Sequence, residues 1–155
     1  MRRAPLVIAW GNPLRGDDGA GPAVARAVAA RGSATVRICH QLTPELAADV
    51  AAASRVVFVD ARAGPAGRTG ASARGVRVRR LRGQHTPPAA FNHAMAPETL
   101  LILARTLYGT APPAFLVTVR GARFALGSGL SPSVRRLIPA AARVVLRLLP
   151  PRPAS

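Results

Sequence analysis

The chain has 155 residues, a length at which one domain with a substantial core is expected. Its 22 basic residues are all arginine and stand against six carboxylates, giving a net charge of +16 and a pI near 12.0, while 49% of residues are apolar. That apolar content excludes a disordered chain. The charge alone would suit a polyanion. However, the absence of lysine beside abundant Ala, Gly and Pro suits the drift of a GC-rich coding sequence, and the arginines are not interleaved with aromatics that could stack bases.

In chain order, Pro5–Trp10 is a near-continuous apolar run, as a strand buried on both faces requires. It follows Met1-Arg2-Arg3 in the manner of a signal peptide, but it is short and ends in Gly11-Asn12, so a strand is the better reading. Pro22–Ala30 reads as a helix stopped by Gly32, and Thr35–His40 as a second strand. Thr43-Pro44-Glu45 has the form of a helix start, with the helix running to about Ala53. Arg55–Asp60 is the third strand, with Asp60 as its last residue. Arg62–Gly75 is a Gly/Ala/Arg loop, and Gly75–Leu81 partly alternates Val and Arg, which suits an edge strand with one wet face. Gln84–Ala90 is a Pro-containing loop. Asn92–Tyr108 contains a helix whose regular start is Pro97 and whose stop is Gly109.

Ala114–Val119 is a fifth strand, and Ser131-Pro132 opens a last helix reaching about Leu149, which Pro139 should kink. The pattern specifies an α/β fold: a single three-layer domain over 1–150, with a twisted, mostly parallel sheet of about five strands and helices on both faces, and a disordered tail at 151–155. The apolar runs Leu100–Ala104 and Ala140–Leu149 do not suit a membrane span, the first being too short and the second carrying Arg143 and Arg147. A cytoplasmic monomer with no membrane partner is expected.

In open α/β sheets ligands bind at the carboxyl ends of the strands. Asp17 and Asp18 follow the first strand, Asp60 ends the third, and His93 enters the helix after the fourth. Asp18, Asp60 and His93 are therefore candidates to converge as two carboxylates and an imidazole, a donor set for a divalent transition metal such as Zn or Ni. Each has a plainer alternative: the Asp pair as a helix cap, Asp60 as a turn cap, and Asn92-His93 as a cap followed by a surface histidine. Cys39, the only cysteine, excludes an internal disulfide and any multi-cysteine metal site, and reads as a buried strand residue. His40 points to the opposite face, His85 lies in a solvated loop, and Glu45 and Glu98 are first-turn acids. The Arg77, Arg79, Arg80 and Arg82 run is a solvated edge. The glycines at 11, 16, 19 and 21 do not fit G-x-G-x-x-G, and neither a G-K-[ST] nor a G-x-S-x-G element is present.

GNPLRGDDGAGPAVA after the first strand, VVFVDA at the third, NHAM before the helix and GLSPSV before the last helix occur in that order. Together they resemble the hydrogenase maturation endopeptidases, which trim the C-terminal extension from nickel-containing hydrogenase large subunits. The resemblance runs over nearly the whole chain. It implies Asp18, Asp60 and His93 as the metal-contacting catalytic residues, Asp17 as support, and nickel carried by the substrate precursor or another divalent ion as the metal. Trp10, where small residues or Tyr are usual, Asn92 in place of Ser or Thr, and the acid-poor Arg62–Gly75 loop depart from the family pattern. None of these touches the three ligand positions.

Two other readings stay open: a non-catalytic module that checks nickel or chaperones the precursor, and an enzyme resembling peptidyl-tRNA hydrolase, whose first strand also leads into a GNP turn. The latter lacks its T-R-H-N type element here. On the protease reading, Gly11, Gly16, Gly19 and Gly21 would turn the backbone tightly and leave room for a substrate chain. Asn12 would lock the turn through its side chain. Asp17 would orient Asp18, bond the turn or act as a base.

Overall fold

The computed structural model describes residues 3–63, 75–83 and 95–151. Five strands form one sheet: β1 (Leu6–Trp10), β2 (Thr35–Cys39), β3 (Val56–Arg62), β4 (Val76–Leu81) and β5 (Ala114–Arg120), in the order β2-β1-β3-β5-β4. The first four in that order are mutually parallel, and β4 alone runs antiparallel, against β5. Four helices cover the sheet: α1 (Ala20–Ala29), α2 (Leu46–Ala52), α3 (Pro97–Tyr108) and α4 (Pro132–Leu148).

The alternation of strand side chains divides the core in two. Val7, Ala9, Val57, Val59, Val117 and Val119 face α1 and α4, while Leu6, Ile8, Val56, Phe58, Leu81 and Ala114 face α2 and α3. Both faces of β1 and β3 are thus buried, and this explains their unbroken apolar runs. The three-layer α/β architecture expected from the sequence is the one observed. β4 lies at an edge, with Arg79 and Arg80 exposed, as its mixed Val/Arg pattern implies.

Boundaries differ in places for local reasons. β3 continues two residues past Asp60 to Arg62, because β5 pairs with it along its whole length, up to Arg62 opposite Arg120. The chain enters α1 earlier than Pro22, through a 3₁₀ turn at Gly16–Gly19. Before α2, Leu46 and Ala47 donate to the Thr43 and Pro44 carbonyls in a tight i→i+3 turn, so regular helix begins only at Leu46. Cys39 is half-buried rather than buried, since β2 is the other edge strand; its Sγ donates to the Ala9 carbonyl, and burial raises its thiol pKa.

α3 starts at Pro97 and ends in the left-handed Gly109, as expected, and α4 runs on through Pro139. Arg55 fastens the far end of α4, its Nη1 donating to the Leu148 carbonyl at 2.6 Å while its guanidinium lies over the Phe115 ring. Among the described residues no helix is long and apolar enough to cross a membrane. The Arg62–Gly75 loop between 64 and 74, the Gln84–Ala90 loop with His85, the residues Asn92 and His93, and the tail from 152 lie outside the described residues.

Candidate functional site

The turn after β1 is built by its own side chains. Asn12 Oδ1 accepts the Leu14 N–H at 3.0 Å, closing an Asx turn, and Arg15 N–H donates to the Asn12 carbonyl at 2.9 Å. Asn12 therefore locks the turn as its position in the sequence predicts. Its own backbone N–H donates to Asp18 Oδ2 at 2.6 Å, a short charge-assisted bond that fixes the carboxylate. Gly11 is required beneath it: its φ is +146°, and a Cβ there would collide with the Asp18 carbonyl oxygen.

Asp60 leaves β3 on the Phe58 face, the face covered by α2 and α3. Trp10, the last residue of β1, packs edge-on against Phe58 with centroids 6.3 Å apart, so the apolar floor of the sheet extends to this edge. Burial pushes the Asp60 pKa up to about 6; the Ala61 N–H, donating to its Oδ1 at 2.8 Å, opposes the shift, and the negative charge of Asp18 adds to it. The two acids, 42 positions apart in the sequence, thus meet electrostatically at the carboxyl edge of the sheet. In a chain with 22 arginines, neither is ion-paired among the described residues, whereas Asp49 pairs with Arg37 and Glu98 with Arg79.

His93 lies outside the described residues, and among those residues no three His, Cys, Asp or Glu side chains gather as a metal-holding group. α3 ends at Tyr108, a short loop before β5 begins at the amino edge, so its first turn at Pro97 stands at the carboxyl edge with Asp60. Met95 packs with the α2–α3 core, to which Trp10 also belongs.

Asp17 has a different role from the one its position suggests. It is fully buried, and its carboxylate accepts from the Ala122 and Arg123 N–H groups at 2.7 and 2.8 Å, and from the Ser131 N–H and hydroxyl at 2.7 and 2.8 Å. Burial by itself raises its pKa, but the bonds from Ser131, Ala122 and Arg123 outweigh this and hold it below the usual carboxylate value. Among the described residues it makes no direct bond to Asp18, and its oxygens are committed to these four donors. It staples the loop between β5 and α4 to the turn after β1, and its partner Ser131 also caps α4 through the Val134 N–H.

The clustered glycines serve the same joint. A Cβ on Gly16, whose φ is +59°, would lie 2.5 Å from both the Arg123 carbonyl oxygen and Ser128 Oγ. Cβ atoms at Gly11, Gly19 and Gly21 would also meet protein atoms, so these glycines admit neighbouring protein segments and not a substrate chain. The sequence reading missed the loop 121–131 as a component of the site. The signal available was that a buried acid needs several donors, and the unused N–H groups of the Ser131-Pro132 cap were one source.

The three-layer α/β fold has structural counterparts among solved proteins, several of them described as hydrogenase maturation proteases. The hydrogenase maturating endopeptidase HybD from E. coli superposes with a TM-score of 0.68 at 22% identity, over 93% of this chain and 90% of that one. The NiFe hydrogenase maturation protease HybD from Thermococcus kodakarensis gives 0.66 at 21% identity, over 95% and 99%. The HycI protease of Thermococcus kodakarensis KOD1 gives 0.66 at 20%, over 94% and 92%. At these identities the shared property is the fold. No family model and no curated protein sequence matches the chain.

Proposed function

We propose that this protein is an endopeptidase that removes the C-terminal extension of a nickel-loaded hydrogenase large-subunit precursor. The observation that carries the reading is that Asp18, in the turn after β1, and Asp60, in the neighbouring parallel strand β3, lie without a guanidinium partner among the described residues at the ligand-binding edge of a fold shared with hydrogenase maturation proteases. Like charges held together raise each other's cost of ionisation, and a cation between them removes that cost.

Asp18, Asp60 and His93 would contact the substrate's nickel, two oxygens and one nitrogen being a donor set such an ion accepts. An ion held there would supply Lewis-acid polarisation of the scissile carbonyl or of a water. The chain's own part is positional. The Asn12 N–H keeps Asp18 in one orientation, the Ala61 N–H keeps Asp60 in another, and Asp17 fixes the frame carrying the first of them.

The test is incubation with precursor with and without nickel, read as a gel shift of the large subunit. Wild type should trim the nickel-loaded form only. Asp18→Asn and His93→Ala should bind it without trimming and keep a wild-type fold by circular dichroism. Normal trimming by both variants would overturn the assignment, and binding without trimming by wild type would identify a chaperone instead.

A further inference from the structure

The joint between the turn after β1 and the loop 121–131 holds two leucines out in solvent. Leu14 is 65% exposed and Leu126 is 72% exposed. Their backbones run close together, because the Leu14 carbonyl accepts the N–H of Gly127 at 2.7 Å, next to Leu126. Neither is exposed through looseness of the backbone. Leu14 sits in the Asx turn, and the opposing loop is fixed by the four bonds to Asp17 and by the close contact at Gly16.

Solvent-facing leucines held on two joined, fixed loops gain free energy where a partner covers them, at little ordering cost to the loops. Of the other large apolar side chains exposed among the described residues, Leu107 and Tyr108 close α3 and Ile38 lies on the edge strand β2; Leu14 and Leu126 alone sit on the loops joined at the site. Leu14 is two residues from Asn12, whose N–H holds Asp18, so the shelf begins within roughly 7–10 Å of that carboxylate, the span of two to three residues of extended chain. Arg15 and Arg123 are exposed on the same two segments.

We propose that Leu14 and Leu126 form a specificity shelf that takes a large aliphatic or aromatic side chain of the substrate polypeptide within three residues of its scissile bond, with Arg15 and Arg123 favouring an acidic residue beside it. The proposal rests on the protease reading for the identity of the substrate. The shelf itself is an attribute of the two loops and is read by binding as well as by turnover.

The test compares wild type with the Leu14→Ser/Leu126→Ser double variant on nickel-loaded large-subunit precursor, measuring Kd on immobilised precursor and KM and kcat for trimming. Because both side chains are exposed, the variant should unfold at the wild-type temperature. Covering about half of each leucine predicts roughly a ten- to hundredfold rise in Kd, and in KM, with kcat unchanged. Replacing large apolar residues near the cleavage point of the precursor by Ser, one at a time, should reproduce the loss at one position and add nothing further in the double variant. Unchanged Kd and KM in the double variant would overturn the shelf while leaving the protease reading standing. If wild type binds but never trims, the protease reading falls, and the Kd comparison alone decides the shelf.

Discussion

Replacing Asp17 by Asn removes one charge and almost no volume, and it separates a structural acid from a catalytic one. In the native protein the carboxylate faces four donors: the N–H groups of Ala122, Arg123 and Ser131 and the Ser131 hydroxyl, all at 2.7–2.8 Å. An asparagine keeps one acceptor oxygen and turns an NH2 group toward the remaining donors. At least one backbone N–H then loses its partner in a buried setting, and the bonds that survive are no longer charge-assisted. At about 1–3 kcal/mol for each buried group left unsatisfied, the expected loss is about 3–5 kcal/mol. That is a large part of the 5–15 kcal/mol typical of a whole domain.

The pH dependence has a definite sign. The folded-state pKa of Asp17 lies below its ordinary value of 3.8, so its contribution is fully present above that value and is lost as pH falls through the folded-state pKa. Urea denaturation followed by circular dichroism from pH 7 to pH 3 reads both effects. Wild type should lose stability on the acid side of pH 4, and Asp17→Asn should start lower and show a shallower acid limb. A variant that unfolds at the wild-type urea midpoint yet fails to trim precursor would refute the reasoning and return Asp17 to the chemistry.

Asp60→Asn should do the reverse, stabilising the fold while abolishing trimming. The folded-state pKa of about 6 stands above the ordinary 3.8, so the wild-type protein loses stability as pH rises from about 4 to 6. A shift of that size corresponds to about 3 kcal/mol at full burial, and about 1–2 kcal/mol is expected at this partly exposed site. Thermal unfolding curves of variant and wild type should diverge at pH 7 and coincide below pH 4. Gly16→Ala, at a φ of +59° and against the Arg123 carbonyl, should cost about 2–3 kcal/mol, seen as a lowered urea midpoint. Ser131→Ala removes the cap to Val134 and the hydroxyl bond to Asp17, and should lower stability by about 1–2 kcal/mol in the same assay.

The layers of this fold are legible in the sequence because each rests on a local pattern. The apolar runs of β1 and β3 announce strands covered on both faces, and Ser131-Pro132 and Gly109 mark helix ends by capping chemistry alone. The placement of Asp18 and Asp60 at one edge follows from the same map, since strand ends in a parallel sheet share an edge. The role of Asp17 was not legible. Its partners lie 105 to 114 positions away, and no local rule says which of two adjacent aspartates turns inward. The strand end past Asp60 was hidden for a similar reason, because the pairing of β3 with β5, and not the composition of Asp60-Ala61-Arg62, decides where the ladder stops.

The arginine excess sharpens the meaning of the acids that remain. Any carboxylate in this chain has guanidinium groups at hand, and two of the six acids take them at the surface, Asp49 with Arg37 and Glu98 with Arg79. Asp17 is satisfied by neutral donors in the interior, where an ion pair would also have to desolvate a guanidinium. Among the described residues Asp18 and Asp60 each accept one backbone N–H, and burial, with the charge of Asp18 adding to it, raises the Asp60 pKa. An arginine placed between them would relieve that repulsion and fill the edge with the chain's own charge. Among the described residues no arginine takes that place, and ionisation of Asp60 stays costly beside Asp18.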